Sequence, residues 1–442
     1  MRSQLRRHRG ESVGAERYIA SMRRAEFVSL VSATAARATA GATLGAVTSY
    51  ARPALAAPIP HAAVTLGNEI FLAETWHELH GRPVGVVTNQ TGVTSGLETI
   101  VDAIRHKPQI ALRAIYSPEH GLRGDQAAGA YVPSYVDERS TLPVYSLYGA
   151  TRKPSAAMLA AVEVILFDIQ DVGDRAYTYV STLAYVMAAA KATGKAVWVL
   201  DRPNPIGGTV IEGPVLDPHF SSFIGLYPIP VRHGMTVGEL AKLFNDRFGI
   251  GCNLRVVPMK NYTRDMFWPQ TGLSWVQTSP NIPEWDTTLV YPATGLIDAA
   301  GINNGTGYTK PFKYAGAYKL DGLRLADYLN DRPIPGVHFR AASWMPLSGF
   351  WAGKTLSGVE LVVTDVRAFR AVRTAVELLV AVRKIGPSAM SLRSAAALDR
   401  DWGTDTLRKG LEDGLDADTI VRQWEPATRA FEEMRKRYLL YT

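Results

Sequence analysis

Residues 117–121 read Ser-Pro-Glu-His-Gly and directly follow an apolar run at residues 111–116. That run is short and compatible with a buried β-strand, and the proline and glycine of the motif end it. We therefore predict that a strand delivers a carboxylic acid, Glu119, and an imidazole, His120, to its C-terminal edge. In open α/β sheets, ligands bind at that edge. These two side chains are the clearest indication of chemistry in the chain.

The other predicted strands also end in polar side chains. Residues 84–88 precede Asn89 and Gln90, residues 164–167 precede Asp168 to Asp171, residues 196–200 precede Asp201 to Asn204, and residues 227–231 precede Arg232 and His233. Because parallel strands place their carboxyl ends on one side of a sheet, these five ends predict one polar pocket. A single polar strand end is more often a turn or a cap, so the prediction depends on the whole set.

Such a pocket supports hydrolysis or group transfer on a polar substrate. Glu119, beside an apolar strand, suits a general acid, and Asp168 or Asp171 could supply the second carboxylate of a glycosidase pair. Arg202 and Arg232 could form bidentate pairs with a substrate carboxylate. Amides suited to sugar groups and aromatic side chains suited to stacking are Asn89, Gln90, Asn204, Tyr177, Tyr179, Trp275 and Trp285.

Most of these side chains have a structural alternative. Asp168 could cap a turn, and Asp201 and Arg202 could form an internal ion pair that positions their loop. His233 could be a satisfied core histidine, and the two tryptophans could pack at a domain interface. Glu119 is the candidate for which a purely structural role is the weakest explanation.

A hydrolytic metal site is the rival explanation of this edge. The side chains with suitable ligand chemistry are Glu119, His120, Asp168, Asp171, Asp201 and His233. The sequence has no H-E-x-x-H motif, so the indication is weak and we expect no bound metal. It also has no G-x-S-x-G elbow, no P-loop motif and no G-x-G-x-x-G after the first strand. We therefore expect no cofactor and no serine nucleophile.

Strand and helix patterns alternate from about residue 62 onward. Near-continuous apolar strands separated by helical patterns are typical of a parallel, doubly wound sheet. Proline, aromatic and loop-forming residues dominate residues 262–317, and further strand and helix patterns follow. The predicted fold class is α/β, with a Rossmann-like domain at residues 62–251 and a smaller α+β domain at residues 252–442.

The first 56 residues differ in composition from the rest. They hold nine arginines and three glutamates, or +6 of the net charge of +7, so the remainder is near neutral and has no electrostatic footprint for nucleic acid. Arg23 and Arg24 precede a weakly apolar stretch, and residues 54–56 fit a small-x-small cleavage site. We expect an export signal of the twin-arginine type and a periplasmic or secreted protein. The alternative is a disordered basic tail on a cytosolic protein. No later stretch suits a membrane span, so we expect no stable membrane insertion.

Nine short motifs, taken together, resemble one family. They lie at residues 88–92, 117–124, 142–149, 167–173, 201–208, 212–214, 230–236, 279–283 and 438–441. Over roughly residue 65 to the end, the chain resembles the NamZ-type exo-β-N-acetylmuramidases, and the motifs are collectively specific for them. The resemblance implies a Rossmann-like domain, a smaller C-terminal domain and a site in the cleft between them.

The resemblance also implies a reaction. It is the release of N-acetylmuramic acid from the non-reducing end of peptidoglycan fragments, with Glu119 as general acid/base. In a substrate-assisted form, Asp168 or Asp171 would orient the 2-acetamido group. The lactyl carboxylate of the sugar would explain the presence of Arg202 or Arg232 as its binding partner. The expected ligand is a peptidoglycan-derived sugar or muropeptide, while the oligomeric state and the stereochemical outcome stay open.

The candidate residues follow from the strand ends and the family motifs together. The catalytic candidates are Glu119, His120, Asp168 and Asp171. The substrate-binding candidates are Asn89, Gln90, Arg123, Gln170, Tyr177, Asp201, Arg202, Asn204, Arg232, His233 and Asn281.

One loop departs from the family pattern. Family members carry Ser-Glu-Gly-Arg-Gly before the segment at residues 310–312, whereas residues 300–308 here have Asn304 and Thr306 in place of the acid and the base. Loss of such a pair from a site loop would change substrate contacts. Three readings stay open: unchanged activity, altered specificity, and a non-catalytic protein that binds cell-wall fragments.

Overall fold

The computed structural model describes residues 63–390 and 395–442. The predicted leader at residues 1–56 lies outside these ranges, so the export signal stays a prediction. The part of the chain at Pro60–Thr442 forms one compact unit. Within the two described ranges, no helix combines the length and the apolar character needed to cross a membrane.

The strands of the described residues are numbered along the chain. They are β1 Pro83–Thr88, β2 Ala111–Ser117, β3 Tyr135–Val136, β4 Pro143–Ser146, β5 Val164–Asp168, β6 Ala196–Leu200, β7 Glu212–Val215, β8 Pro230–Arg232, β9 Asn253–Val257, β10 Tyr314–Tyr318, β11 Val337–Trp344 and β12 Leu356–Val363.

The α-helices of the same residues are also numbered in chain order. They are α1 Gly67–Ile70, α2 Ile100–Arg105, α3 Ala156–Leu159, α4 Tyr179–Thr193, α5 Val237–Asp246, α6 Trp285–Thr294, α7 Gly322–Asn330, α8 Ala371–Ile385, α9 Ala395–Trp402, α10 Thr406–Glu412, α11 Ala417–Arg422 and α12 Glu425–Arg435.

A seven-stranded sheet has the order β3-β4-β2-β1-β5-β6-β9. Its strands are parallel except for β3, which pairs antiparallel with β4. The chain starts at β1 in the middle and moves outward through β2 and β4. It then returns to the other side of β1 and continues through β5, β6 and β9. This is the predicted doubly wound, Rossmann-like topology, with its switch point between β1 and β5.

Apolar side chains on both faces hold this sheet between helices. Every residue of β5 and β6 is buried. Ile165 and Phe167 point into a core shared with α4 and α5, whereas Val164 and Leu166 belong to a separate core with Phe71 and α2. Successive residues of a strand point to opposite faces of the sheet, and each face packs against an apolar core. Residues on both faces must therefore be apolar, which explains the near-continuous apolar runs in the sequence.

Two helix boundaries coincide with local signals in the sequence. Helix α4 ends at Gly194, whose φ of 67° lies in the left-handed region that glycine adopts without strain. Helix α5 begins with a capping box, in which the Thr236 side chain accepts the Glu239 N–H and the Glu239 carboxylate accepts the Thr236 N–H. These caps orient the helices that cover the sheet.

The C-terminal part contains a smaller α+β arrangement, as predicted. Strands β10, β12 and β11 form an antiparallel sheet in that order. Helices α7 and α8 contribute apolar residues to the core that this sheet shares. Strand β9 belongs to the large sheet although it follows residue 251, and the exact boundary between the two predicted domains stays a prediction.

The prediction of a fifth parallel strand at residues 227–231 is wrong. Strand β8 lies there but pairs antiparallel with β7 in a separate two-stranded sheet. Pro228 and Pro230 lack the N–H groups that a central strand must donate, so this segment suits only a short ribbon. The position next to β6 is occupied by β9.

Candidate active site

Four polar strand ends meet at one edge of the parallel sheet, as predicted. The strand order β2-β1-β5-β6 places Glu119, Asn89, Asp168 and Asp201 in that sequence across the edge. Glu119 follows β2 and therefore lies one strand away from the switch point between β1 and β5. An open α/β sheet binds its ligand at the C-terminal edge, beside such a switch point.

Glu119 is a buried carboxylate that forms no ion pair within the described residues. Its relative exposure is 7%. Oε1 accepts a hydrogen bond from the Gly129 N–H at 2.9 Å, and Oε2 accepts one from the Thr178 hydroxyl at 2.6 Å. Since both donors are neutral, no fixed positive charge neutralises the carboxylate. A carboxyl group in such surroundings is suited to general acid–base chemistry, and that role for Glu119 stays a prediction.

His120 holds the loop that carries Glu119. Its φ of 69° is unusual for a residue other than glycine. Its buried imidazole donates from Nδ1 to the Gln126 carbonyl at 2.8 Å, and the Gln126 N–H donates back to the His120 carbonyl. This geometry favours a positioning role for His120, and a catalytic role for it stays a prediction.

A tyrosine cluster lies beside Glu119. The rings of Tyr177 and Tyr179 meet edge to face at 4.8 Å, and Tyr291 meets Tyr177 in the same way at 5.7 Å. The Tyr179 hydroxyl receives a hydrogen bond from Asn89 at 2.9 Å and donates to a main-chain carbonyl at 2.7 Å. Burial, with smaller contributions from Tyr177 and Glu119, raises the pKa of Tyr179 well above its ordinary value. The hydroxyl is therefore a neutral donor at physiological pH.

Asp168 and Arg202 form a fully enclosed ion pair. The distance from Arg202 Nε to Asp168 Oδ1 is 2.6 Å, and the side chains are 3% and 0% exposed. Asn68 donates to the other oxygen, Asp168 Oδ2, at 3.0 Å, and Arg202 also donates to the Val93 carbonyl. Both oxygens of Asp168 are thus occupied. This favours a positioning role, and a catalytic or substrate-binding role for either residue stays a prediction.

Asp201 connects distant parts of the chain. Its two oxygens accept hydrogen bonds from the Thr236 hydroxyl, the Gly238 N–H and the Tyr441 hydroxyl, each at 2.7 Å. The alternative of an Asp201–Arg202 ion pair is wrong, because Arg202 pairs with Asp168 and meets Asp201 only through its main-chain N–H. Asp201 therefore anchors the start of α5 and the C-terminus.

A second buried acidic group lies on the loop after β5. Asp171 Oδ2 accepts the Gly173 N–H at 2.8 Å and lies 3.8 Å from His233 Nε2, while Oδ1 has no hydrogen-bond partner in the described residues. Burial raises the pKa of Asp171 to about 7. Burial, and then nearby arginines, lowers the pKa of His233 to about 3. His233 is therefore neutral, and its Nδ1 accepts the Met235 N–H.

These shifts predict how stability depends on pH. Folded Asp171 binds a proton up to about pH 7, whereas the unfolded chain releases it near 3.8. Its contribution to the unfolding free energy therefore falls as the pH rises through that window. Asp174 and Asp201, with pKa values raised by burial to about 7 and about 6, act in the same direction. His233 acts in the opposite direction, because its contribution is lost as the pH falls below 6.5.

We expect Asp171→Asn to remove one of these contributions. The unfolding free energy of D171N should fall less between about pH 4 and pH 8 than that of the unchanged chain. Urea unfolding at a series of pH values measures the difference. Asp125→Asn, which neutralises an exposed acid, is the control and should follow the unchanged chain. Parallel curves for D171N and the unchanged chain would contradict the prediction.

The amide candidates mainly connect loops. Gln90 donates to the Gln277 carbonyl at 2.9 Å, and Gln170 donates to the Pro203 carbonyl at 2.7 Å. Asn204 donates to the Met235 carbonyl at 3.0 Å. The structure therefore brings these side chains to the sheet edge, but their amide N–H groups are largely used inside the protein. Substrate contacts by them stay predictions.

The arginine candidates already have carboxylate partners. Arg232 donates to Glu212 at 3.0 Å and to a main-chain carbonyl, and it is buried. Arg123 is exposed and donates to Asp137 at 2.7 Å. Asn281 is half-buried on the loop before α6. Arg232 is enclosed and paired, so the geometry does not favour its binding of a substrate carboxylate. Arg123 keeps a largely exposed side chain beside its partner, and a substrate contact by it stays a prediction.

The divergent loop at residues 300–308 is closed by its own asparagines. Asn303 Oδ1 accepts the Gly305 N–H and the Trp344 Nε1–H, both at 2.9 Å. Asn304 donates to the Thr294 carbonyl at 3.1 Å, and both asparagines are buried. The loop at residues 300–308 therefore satisfies these side-chain hydrogen bonds within the protein.

The two tryptophans considered as stacking walls take part in internal packing. Trp275 meets Trp268 edge to face at 5.0 Å and donates to the Ile282 carbonyl at 3.4 Å. Trp285 packs against a small core that includes Phe267. These contacts favour the structural alternative for both side chains.

Sequence reasoning did not include Tyr148 and Thr178, which lie close to Glu119, or Tyr291, which packs on Tyr177. Tyr148 follows β4, which is parallel to β2, so its position in the motif at residues 142–149 could have identified it. Thr178 lies on the turn before α4, and Tyr291 lies inside α6. Neither of these two follows a strand of the sheet, so no strand-end rule could have found them.

A cleft of about 470 Å³ opens at the same edge of the sheet. Asn89, Gln90, Arg123 and Asp137 are among its lining residues, but Glu119 is not. Glu119 instead faces Tyr148 and Thr178. Within residues 63–390 and 395–442, no three His, Cys, Asp or Glu side chains converge as a group that could hold a metal ion.

The sequence matches one family along most of its length. Residues 84–286 match the N-terminal model, and residues 289–441 the C-terminal model, of exo-β-N-acetylmuramidase NamZ. These matches, with the fold and the buried carboxylate at the C-terminal edge of its sheet, define a glycoside hydrolase. The chain belongs to the NamZ family of exo-β-N-acetylmuramidases, as the motifs indicated.

Individual relatives agree with this assignment. The chain is 45% identical over 378 residues to the peptidoglycan β-N-acetylmuramidase NamZ of Bacillus subtilis (strain 168), covering 86% of this chain and 91% of the relative. A DUF1343 family protein from Bacteroides fragilis NCTC 9343 has a TM-score of 0.81 at 34% identity, covering 87% of this chain and 100% of its own. A second from that strain has a TM-score of 0.68 at 27% identity, covering 86% and 99%.

Proposed function

We propose that this chain is an exo-β-N-acetylmuramidase that releases N-acetylmuramic acid from the non-reducing end of peptidoglycan fragments. The observation that carries the proposal is Glu119, a buried carboxylate at the ligand-binding edge of the sheet that forms no ion pair with another described residue. Membership of the NamZ family supports the same reaction class.

In the proposed mechanism, Glu119 protonates the oxygen of the leaving group. The Gly129 N–H and the Thr178 hydroxyl hold its carboxyl group in one orientation. As the glycosidic bond breaks, the proton passes from Glu119 to the leaving oxygen. The same carboxylate then accepts a proton from the water that completes hydrolysis.

The second group in this proposal is Asp171 rather than Asp168. Arg202 and Asn68 already occupy both oxygens of Asp168, whereas Asp171 Oδ1 has no hydrogen-bond partner in the described part of the chain. That oxygen is shielded from solvent, so the side chain must rotate to reach a ligand. After rotation it would accept the N–H of the 2-acetamido group, whose carbonyl oxygen then attacks the anomeric carbon.

The proposed location is the periplasm or the cell exterior, because residues 23–56 resemble a twin-arginine export signal. Fractionation of cells followed by N-terminal sequencing tests this. A protein that retains the leader and stays in the cytosol would contradict it.

Sugar release from paired chromogenic substrates tests the proposed reaction. We expect the full chain to hydrolyse a β-N-acetylmuramide and to leave the matching β-N-acetylglucosaminide intact. The two substrates differ only in the lactyl group, so the pair also measures specificity. A chelator should not change the rate, and its inhibition would favour a metal-dependent hydrolase. A folded chain that binds the muramide without turnover would instead favour a binding protein.

A further inference from the structure

The proposed substrate carries a negative charge that needs a partner. N-acetylmuramic acid differs from N-acetylglucosamine by a lactyl ether with a carboxylate, and a charged acceptor of this kind is best bound by an arginine. Arg202, Arg232 and Arg123 are each paired with an internal carboxylate. A better candidate for the charge partner is therefore a cation near Glu119 that has no internal carboxylate partner among the described residues.

Arg152 meets this requirement. It lies on the loop after β4 and is exposed. Its guanidinium lies over the ring of Tyr148, 4.8 Å from the centroid, and over the ring of Phe223 at 4.6 Å. Within the described residues Arg152 has no carboxylate partner, and aromatic rings hold an arginine in place without neutralising its charge. The guanidinium therefore keeps its charge available for a ligand.

Tyr148 connects Arg152 with the proposed catalytic acid. Burial raises the pKa of Tyr148; the neighbouring Glu119 raises it further, and the neighbouring Arg152 opposes this. Its phenol side chain therefore faces both groups, and one tyrosine separates the proton donor from the cation. Phe223 continues the aromatic surface, meeting Tyr148 at 5.8 Å and stacking on Tyr185 at 5.7 Å. Such a surface offers a flat apolar face to a sugar ring.

We propose that Arg152 binds the lactyl carboxylate of the muramyl residue and makes the enzyme specific for muramides over glucosaminides. The aromatic surface of Tyr148 and Phe223 holds its guanidinium in a fixed orientation beside Glu119. This inference rests on the proposed function, because the carboxylate belongs to the substrate named there.

Arg152→Met tests the proposal, because methionine preserves apolar contact with the two rings and removes the charge. With the full chain, we expect kcat/KM for the chromogenic β-N-acetylmuramide to fall about 10- to 100-fold, the effect of one charged hydrogen bond. The loss should vanish with the methyl ester of the lactyl group, which has no charge. Arg152→Lys should restore part of the activity toward the acid. Lys153→Met, which removes an exposed charge one residue away, is the control and should have no effect.

Calorimetric binding of N-acetylmuramic acid separates this inference from the proposed function. If the unchanged chain hydrolyses the muramide and R152M does so equally well, the role of Arg152 is refuted while the reaction stands. If the unchanged chain binds the sugar acid but never hydrolyses it, the reaction is refuted. In that case weaker binding by R152M supports the Arg152 site, and equal binding refutes it. A chain that neither binds nor hydrolyses refutes both.

Discussion

Replacing Glu119 by glutamine should lower kcat on the β-N-acetylmuramide by about 100- to 10,000-fold, the usual contribution of a general acid or base. Glutamine preserves the size of the side chain and can still accept the Gly129 N–H. It has no proton to give to a leaving oxygen. The Thr178 hydroxyl can rotate and accept from the new amide, so the fold should be retained. Initial rates with the chromogenic substrate measure kcat.

Binding and a matched variant make this prediction specific. The Kd of N-acetylmuramic acid, measured by calorimetry, should stay close to that of the unchanged chain, because the lost function is proton transfer rather than affinity. Asp125→Asn removes an exposed acid from the same loop and should keep full activity. If E119Q turns over at the normal rate, Glu119 is not the general acid and Asp171 becomes the leading candidate.

Replacing Arg202 by methionine should lower the unfolding free energy by about 3–5 kcal/mol, the cost of leaving a buried charge without its partner. Asp168 would keep only the hydrogen bond from Asn68, with no access to solvent. The same substitution removes the donor to the Val93 carbonyl and so loosens the link between the segments that follow β1 and β6. Urea unfolding at neutral pH measures the loss.

An exposed ion pair provides the comparison. Arg82 and Glu163 lie 3.3 Å apart with side chains 43% and 55% exposed, so Arg82→Met should cost less than about 1 kcal/mol. A loss from R202M as small as that from R82M would show that the buried pair adds little to stability. The positioning role assigned to Asp168 would then need to be abandoned, and its catalytic role would regain weight.

The fold class could be predicted because it depends on local patterns. Apolar strands buried on both faces, with amphipathic helices between them, are compatible with few arrangements other than a doubly wound sheet. The capping box at Thr236 and the glycine at position 194 are equally local signals, and both mark helix ends in the structure. The antiparallel ribbon of β7 and β8 was not predicted, because the prediction used the apolar content of residues 227–231 and not their two prolines, which exclude a central strand.

The position of the site at one edge of the sheet could also be predicted from local patterns. The direction of parallel strands brings Glu119, Asn89, Asp168 and Asp201 together, whatever their separation along the chain. Sequence spacing does not show, however, which charges neutralise one another. Arg202 is next to Asp201 in sequence but forms its ion pair with Asp168.

The sequence by itself therefore determined the family, the doubly wound topology and the presence of Glu119 at the sheet edge, since each depends on residue type and local periodicity. Only the tertiary structure decided which polar groups are left for a ligand. Hydrogen bonds and ion pairs between distant segments occupy Asp168, Arg202 and Asp201, whereas Glu119 and Arg152 have no ionic partner among the described residues. Such partnerships are set by packing in three dimensions, because a buried charge pairs with whichever opposite charge the fold brings within reach.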